Sequence, residues 1–277
     1  MCDHNIIVCN TNYTILNRNS GNYSDVFHVV NAFGEKRVLK IMKSHFDKNM
    51  MDMEVCVLSQ LKDLDCVQLY NTEWIWYNQE YRLCLVMSDL GTQTLTEYYN
   101  KNIPSLQEFI RIALRLTELL IQLHELNIIH RDIKPDNIMW NDGLAQFIDF
   151  GFADIYSNNN TIQTRNKGTK TYQSLDIHDL SCGIPLTLSI TDLQSCDIWA
   201  LGCVLYYIAE GQHLFYYYDN NYIQRTNIHR ILDSTECGIV YDIIFNSQLF
   251  ETNPTNRISL YELYNKLFSI QYKMNFQ

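Results

Sequence analysis

The sequence predicts an α+β protein in which a β-rich first third precedes a longer, mainly helical part. Residues 1 to about 90 contain short apolar and alternating runs separated by turn residues, with one helical pattern among them. From residue 106 to 126 the apolar residues recur at helical spacing almost all round, which is typical of a helix buried in a core. The 277 residues, 47% of them hydrophobic, are enough for one large domain or two lobes.

Composition excludes several classes of protein. The chain has no run of about 18 apolar residues and no signal-like N-terminus, so we expect no membrane span and no secretion. Nine cysteines are scattered without a Cys-x-x-Cys pair, which favours reduced thiols inside a cell, in the cytoplasm or nucleus. The net charge of −10 argues against direct nucleic-acid binding. A net negative charge favours a basic protein substrate, although it also serves solubility alone. The composition does not determine the oligomeric state.

The most informative segment is His130–Asn137, followed twelve residues later by Asp149-Phe150-Gly151. It reads His-Arg-Asp-x-Lys-x-x-Asn and brings a carboxylate, an ammonium and a carboxamide into one loop. Phosphoryl transfer needs these groups, because the charge of the moving phosphoryl must be neutralised while a hydroxyl is aimed at it. Chance matches to so long a pattern are rare, and the segment resembles the catalytic loop and metal-binding turn of the eukaryotic protein kinases.

The resemblance implies a two-lobed protein kinase fold. A small β-rich N-lobe with one key helix would cover residues 1–88, and a larger, mainly helical C-lobe would cover residues 89–277. Together they would form one kinase domain over about residues 14–270.

The same resemblance implies a role for each residue of the loop. Asp132 would orient the substrate hydroxyl and take its proton, and Lys134 would neutralise the moving phosphoryl. Asn137 and Asp149 would bind Mg²⁺ through oxygen atoms. His130 is expected to pack in the core rather than to act as a base.

Arg131 would be the receptor for a phosphate on the activation loop, with Thr161 and Thr164 as candidate phosphorylation sites. Asp154 stands where many such kinases carry a second basic partner. Activation by phosphorylation and ordinary loop threonines therefore both stay open.

The turn over residues 19–26 resembles the kinase pattern G-x-G-x-x-G-x-V but keeps only the middle glycine and the valine. Alone it would indicate a hairpin, whereas at the start of a kinase-like chain it indicates a loop that covers phosphates. The residue that roofs the adenine falls at Arg18, whose stem would do that job, or shifts to Leu16. The predicted loop contacts are Asn19, Gly21, Tyr23, Ser24 and Val26.

Arg37-Val38-Leu39-Lys40 resembles the kinase V-A-I-K strand, so that Lys40 would reach the α- and β-phosphates. Without the catalytic-loop motif, Lys40 would be interpreted as a solvated lysine at a strand end. Glu54, on the helical pattern 53–61, would pair with it. The spacing of 14 residues is similar to that in casein kinase I.

Residues 67–76 and 81–87 predict a hairpin whose second strand runs into a segment that resembles the kinase hinge, that of casein kinase I especially. Met87 would guard the adenine pocket, and the backbones of Ser88 and Leu90 would bind the adenine edge. Val38 and Met139 would contribute to its two walls.

Three further matches concern the C-lobe. Thr169, in a segment similar to G-T-x-x-Y, would support Asp132 and, with Lys134, indicates a Ser/Thr kinase. Asp176, in the place of the A-P-E glutamate, would pair with Arg257. Asp197 would hold the catalytic-loop backbone, or else be an ordinary acid at a helix N-terminus. Residues 222–277 are expected to form further helices.

The sequence therefore predicts a protein Ser/Thr kinase that uses ATP and Mg²⁺. The alternatives are a pseudokinase, which binds a nucleotide or a partner without turnover, and a small-molecule kinase, which the pairing of Lys134 with Thr169 disfavours. The Asn- and Tyr-rich, Gly-poor composition and the incomplete glycine loop are similar to those of kinases of large DNA viruses, and the size is similar to that of the late protein kinases of baculoviruses. That likeness implies work in an infected cell, on basic nucleic-acid-packaging proteins.

Overall fold

The computed structural model of the protein describes residues 5–45, 47–141, 143–156, 161–164, 167–178, 186–218, 221–226, 228 and 234–276. At 161–164, 178, 186, 217–218, 221–222 and 234 it describes the backbone alone. The chain divides after Leu90 into two compact units. Among the described residues, no helix combines the length and the apolar run that crossing a membrane requires.

The first unit is built on a six-stranded antiparallel sheet of order β1-β2-β3-β4-β6-β5. Its strands are β1 (Asn5–Val8), β2 (Thr11–Ser20), β3 (Ser24–Asn31), β4 (Lys36–Met42), β5 (Leu69–Tyr77) and β6 (Glu80–Ser88). The alternation of side chains along these strands buries one apolar cluster that includes Phe27, Leu39, Ile41 and Val86. The predicted hairpin is confirmed by β5 and β6, whereas β1 was not anticipated.

Helix α1 (Lys48–Gln60) follows β4 in this unit. It begins five residues before the predicted pattern, because the Asp47 side chain caps it by accepting from the backbone N–H of Asn49 at 2.8 Å. Its buried side includes Glu54, Val57 and Leu58. The helix therefore carries one acidic side chain inward among apolar ones.

The second unit is mainly helical. Its helices are α2 (Leu95–Tyr99), α3 (Leu106–Glu125), α4 (Leu175–His178), α5 (Ile190–Glu210), α6 (Ser234–Phe245) and α7 (Leu260–Asn275). Serine N-caps begin α3, α5 and α7, as their side chains accept backbone N–H groups of the first turn. Helix α3, predicted over 106–126, is confirmed, and it packs against α5 and α7.

Four short strand pairs complete the described part of this unit. They are β7 (Ile128–Ile129) with β10 (Asp154–Ile155), β8 (Ile138–Asn141) with β9 (Leu144–Phe147), β11 (Thr161–Thr164) with β12 (Leu186–Ser189), and β13 (Phe215–Tyr218) with β14 (Asn221–Gln224). The prediction that residues from 222 onward are helical is wrong over β14. Aromatic residues with strand preference fill β13, and β14 pairs with them before α6 and α7 begin.

Candidate active site

The loop after β7 carries the acidic residue at the centre of the site. Ile129 and Ile133 flank this loop, and both are fully buried, so they anchor it in the core of the second unit. Arg131 adopts a φ of 67°, a left-handed conformation that turns the chain just before Asp132. Asp132 itself is 3% exposed. A carboxylate held so far from water needs hydrogen-bond donors around it.

Four hydrogen bonds satisfy the Asp132 carboxylate. Oδ1 accepts from the backbone N–H and from the hydroxyl of Thr169, each at 2.8 Å. Oδ2 accepts from Lys134 Nζ at 2.7 Å and from Asn137 Nδ2 at 2.9 Å. Lys134 also donates to the Thr169 hydroxyl at 2.8 Å. The three residues predicted to be catalytic thus form one network that fixes the direction of both carboxylate oxygens.

The predicted metal ligands lie on either side of the β8–β9 hairpin. The Asn137 backbone carbonyl accepts from Ile148 N at 2.9 Å, which ties the loop to the segment that enters Asp149. Because Asn137 Nδ2 donates to Asp132, its Oδ1 is the atom that can bind a cation. Asp149 follows β9 with a φ of 60°.

This donor set fits Mg²⁺. Amide and carboxylate oxygens are hard ligands, and Mg²⁺ binds with one or two of them plus the phosphates of a substrate. Within the described residues, no group of three or more His, Cys, Asp or Glu side chains could hold a metal alone. Asn137 and Asp149 would therefore share the ion with a phosphorylated ligand.

Gly168 permits the contact between Thr169 and the catalytic loop. Its φ is 94°, and a Cβ at this position would lie 2.2 Å from the backbone oxygen of Arg131. Backbone cannot move aside as a flexible side chain can, so the approach requires glycine. The two Thr169 hydrogen bonds to Asp132 depend on it.

Asp197 supports the catalytic loop from α5. Its Oδ2 accepts from the N–H of His130 at 2.8 Å, and its Oδ1 accepts from the N–H of Arg131 at 2.9 Å. His124 Nε2 lies 3.1 Å from Oδ2, a partner that no pattern in the sequence indicated. Asp197 is the eighth residue of α5, so the alternative of an acid at a helix N-terminus is wrong.

His130 is buried in this second unit. Its ring centroid lies 5.3 Å from that of Phe147 and 4.9 Å from that of Phe150. These contacts with two aromatic rings match the packing role expected from the sequence.

Arg257 joins Asp176 to the helical core. Arg257 Nη2 donates to Asp176 Oδ1 at 2.9 Å, across 81 residues of sequence. Nη1 donates to the backbone oxygen of Ser195 at 2.7 Å, and Nη2 to that of Glu251 at 2.7 Å. The guanidinium also lies over the Trp199 ring, with Cζ 5.1 Å from the centroid. The shorter aspartate therefore still reaches its arginine.

In the first unit, Lys40 and Glu54 form a buried ion pair. Lys40 Nζ lies 2.5 Å from Glu54 Oε1, and the two residues are 7% and 1% exposed. The interpretation of Lys40 as a solvated lysine at a strand end is therefore wrong. The carboxylate fixes the direction of the ammonium, which an unpaired lysine on a four-carbon stem could not achieve.

One face of this sheet carries the side chains predicted to contact the nucleotide. Val26 lies opposite Lys40 in the register of β3 and β4, and Val38 lies opposite Met87 in that of β4 and β6. Paired residues of antiparallel strands share a face, so these four side chains point to the same side. Met139 belongs to the second unit, where it lies buried in β8.

A β-bulge in β2 corrects the expectation for Arg18. The register of β2 against β3 shifts between Ile15 and Asn17, so that Leu16 is the extra residue. Beyond the bulge Arg18 lies opposite Phe27, with Cζ 5.3 Å from that ring, on the face away from Lys40. The expectation that the Arg18 stem roofs the adenine is therefore wrong, and Leu16, 55% exposed, is the residue that stays available.

The turn between β2 and β3 is closed by Gly21, whose N–H donates to the Ser24 carbonyl at 2.9 Å. Asn19 lies opposite Val26 near the end of the ladder, and Tyr23 is exposed at the tip. The turn thus has the place of the predicted phosphate-covering loop within its sheet.

The end of β6 and the residue that follows it are attached to the first unit at two points. Ser88 N–H donates to the Gln68 carbonyl at 2.9 Å, and His28 Nδ1 lies 3.2 Å from Asp89 Oδ1. Leu90 follows as the last residue of this unit. The backbone of Ser88, one of the two residues predicted to bind the adenine edge, is thereby held at the end of β6.

The two candidate phosphorylation sites lie in β11, where the side chains of Thr161 and Thr164 are outside the described part of the chain. Arg131, their predicted receptor, instead forms an ion pair with Asp154 at 2.6 Å. Lys167 Nζ lies 2.7 Å from the same carboxylate. The sequence held no signal for the Lys167 contact, because a separation of 13 residues matches no local pattern.

Comparison with known proteins adds a family to this geometry. The sequence pattern of the protein kinase domain family matches residues 19–269 of this chain. The dual specificity protein kinase TTK of Mus musculus is 27% identical over 271 residues, which cover 91% of this chain and 30% of that protein. Calcium-dependent protein kinase 5 of Plasmodium berghei is 27% identical over 199 residues, covering 69% of this chain and 33% of that protein. The serine/threonine-protein kinase TIO of Arabidopsis thaliana is 28% identical over 184 residues, covering 65% and 13%. The chain thus spans at most about a third of the length of these three relatives.

Proposed function

Because this chain belongs to the protein kinase family, we propose that it transfers the γ-phosphoryl group of ATP to Ser or Thr hydroxyls of protein substrates. The observation that carries this proposal is the network around Asp132, in which two residues predicted to be catalytic and one predicted metal ligand converge on one carboxylate. A carboxylate on the surface can hydrogen-bond to water, so it does not need three such partners from the protein.

In the proposed reaction Asp132 accepts a hydrogen bond from the substrate hydroxyl, orients its oxygen and takes its proton late in the transfer. The incoming hydroxyl replaces one of the four donors that the carboxylate already holds. Lys134, 2.7 Å from Asp132, places an ammonium where the charge of the moving phosphoryl develops.

On the nucleotide side, the Lys40 ammonium binds the α- and β-phosphate oxygens while Glu54 holds it in place. Asn137 Oδ1 and the Asp149 carboxylate would hold Mg²⁺, which would supply positive charge to neutralise the phosphates. The Ser88 carbonyl accepts from the adenine amino group, since the Ser88 N–H is already bound to Gln68.

The choice of Ser and Thr over Tyr rests on the bond between Lys134 and Thr169, which places an ammonium and a hydroxyl beside Asp132. Phosphoamino-acid analysis of labelled substrates should therefore yield phosphoserine and phosphothreonine. Phosphotyrosine as the main product would contradict this part of the proposal.

Incorporation of labelled phosphate from ATP into a panel of basic and acidic proteins tests the activity. Asp132→Asn and Asp149→Asn should abolish incorporation, whereas Asp242→Asn, in an exposed ion pair with Lys266, should leave it unchanged. ATP binding without incorporation in the wild-type protein would instead support the pseudokinase alternative.

The finer assignments are proposals as well. The net charge of −10 favours basic protein substrates, so histones should be labelled faster than casein. The spacing of Lys40 and Glu54 supports a likeness to casein kinase I. The likeness to baculovirus late kinases would place the protein in the cytoplasm or nucleus of an infected cell, which imaging of a tagged protein can test.

A further inference from the structure

A second ionic cluster lies directly beside the Asp132 network. Asp154 Oδ2 is 2.6 Å from Arg131 Nη1, and Asp154 Oδ1 is 2.7 Å from Lys167 Nζ. The Tyr156 hydroxyl donates to Oδ2 at 3.1 Å. The side chains of Asp154 and Arg131 are 17% and 5% exposed, so their ion pair is shielded from solvent. One carboxylate thus bridges two cations.

The two cations belong to the two segments that build the catalytic network. Arg131 immediately precedes Asp132, and Lys167 stands two residues before Thr169. Gly168, between Lys167 and Thr169, makes its close approach to the backbone oxygen of Arg131 itself. The Asp154 bridge therefore holds together, through side chains, the same two segments that the hydrogen bonds of Thr169 join.

Charge determines what this cluster can accept. Burial alone raises the pKa of Asp154, but Arg131 and Lys167 outweigh that effect and hold the pKa below its ordinary value. The carboxylate is therefore ionised at neutral pH. A phosphate near Arg131 would carry a charge of about −1.5 to −2 and would meet this carboxylate already in its place.

We propose that Asp154 is a positioning residue that takes the role of an activation-loop phosphate, so that the catalytic network assembles without phosphorylation of Thr161 or Thr164. The inference rests on the proposed kinase function and deepens it. It selects, of the two alternatives that the sequence left open, the one in which these threonines are ordinary residues. Asp154 acts through Arg131 and Lys167 rather than on the substrate.

The first test compares turnover. Wild-type protein treated with a protein phosphatase, and the Thr161→Ala/Thr164→Ala variant, should retain kcat within about twofold of untreated protein. Asp154→Asn should lower kcat about tenfold or more with little change in the KM for ATP, because it removes two charge-assisted contacts. Asp154→Glu, which keeps the charge, should recover most of the loss, and Asp242→Asn is the matched control.

A coupling measurement separates positioning from simple loss of stability. Lys167→Met should reproduce the kcat of Asp154→Asn, and the double variant should lose no more than either single variant, since both remove one bridge. Additive losses would overturn the inference. So would a phosphatase-treated or double-alanine protein that loses most of its kcat, or an Asp154→Asn variant as active as Asp242→Asn.

A readout independent of catalysis keeps the two proposals distinguishable. Hydrogen exchange of peptides covering residues 128–134 and 167–173 should be about tenfold faster in Asp154→Asn than in wild-type protein, with Asp242→Asn unchanged. If wild-type protein transfers no phosphate, the proposed function fails while this measurement still tests the bridge. Unchanged exchange in Asp154→Asn would overturn the positioning role even in an active kinase.

Discussion

Replacing Lys40 with methionine removes the ammonium that compensates a carboxylate almost wholly out of contact with water. Lys40 and Glu54 are 7% and 1% exposed, and their charged atoms lie 2.5 Å apart. Breaking a buried pair from one side costs about 3–5 kcal/mol. Protonation of the remaining carboxyl sets a ceiling, since for a glutamate of ordinary pKa it costs about 3.7 kcal/mol at pH 7. We expect the free energy of unfolding to fall by about 3–4 kcal/mol at pH 7.

Urea denaturation followed by circular dichroism at pH 7 measures the effect. Lys40→Met/Glu54→Gln removes both charges of the pair, so its deficit should be smaller than that of Lys40→Met. Lys266→Met is the matched control, because the charged atoms of Lys266 and Asp242 are nearly as close, at 2.7 Å, but the two side chains are 31% and 51% exposed. It should cost less than about 1 kcal/mol. A deficit for Lys40→Met no larger than that of Lys266→Met would refute the reasoning.

Further outcomes follow from other residues. Gly168→Ala places a methyl group against backbone and should lower the free energy of unfolding by about 2–4 kcal/mol, with loss of phosphate transfer; a variant as stable and active as wild-type protein would contradict the close approach. Arg257→Met should lower the free energy of unfolding, measured by urea denaturation, by about 3–5 kcal/mol, since it removes the donor from one carboxylate and two backbone carbonyls. Iodoacetamide at pH 8 should modify exposed Cys56 and spare Cys196, because burial raises the pKa of the Cys196 thiol to about 12. Peptide mass spectrometry identifies the modified cysteine, and modification of Cys196 in preference to Cys56 would contradict this expectation. Because the folded pKa of Asp154 lies below its ordinary value of 3.8, the stability lost in Asp154→Asn should be full at pH 6 and shrink as the pH drops below about 4.

The parts of the site that sequence predicts best are those whose geometry is local. Asp132, Lys134 and Asn137 lie within a stretch of six residues, so one short loop brings their side chains close together. Helix α3 was predictable because its apolar residues repeat over twenty positions. The ion pair of Asp176 and Arg257 is distant in sequence, and only the resemblance of the segment around Asp176 to a kinase motif could indicate it.

The parts that escaped prediction depend on single residues that change a register or a partner. The bulge at Leu16 reverses which face Arg18 occupies, and no residue type around it signals an insertion. Strand β14 forms because β13 offers it an aromatic partner, a tertiary contact that overrides a weak helical pattern. Lys167 reaches Asp154 only because the chain folds back over the catalytic loop.

The four hydrogen bonds that the Asp132 carboxylate already accepts have a consequence for the hydrolysis of ATP by water. A water molecule that enters the site gains no vacant acceptor and must compete with Thr169, Lys134 and Asn137 for a place on the oxygen atoms. A protein hydroxyl brings the binding energy of a whole polypeptide to that exchange, whereas solvent brings none. We therefore expect futile hydrolysis of ATP to be slow until an acceptor protein arrives, so that the arrangement conserves nucleotide as well as directing it.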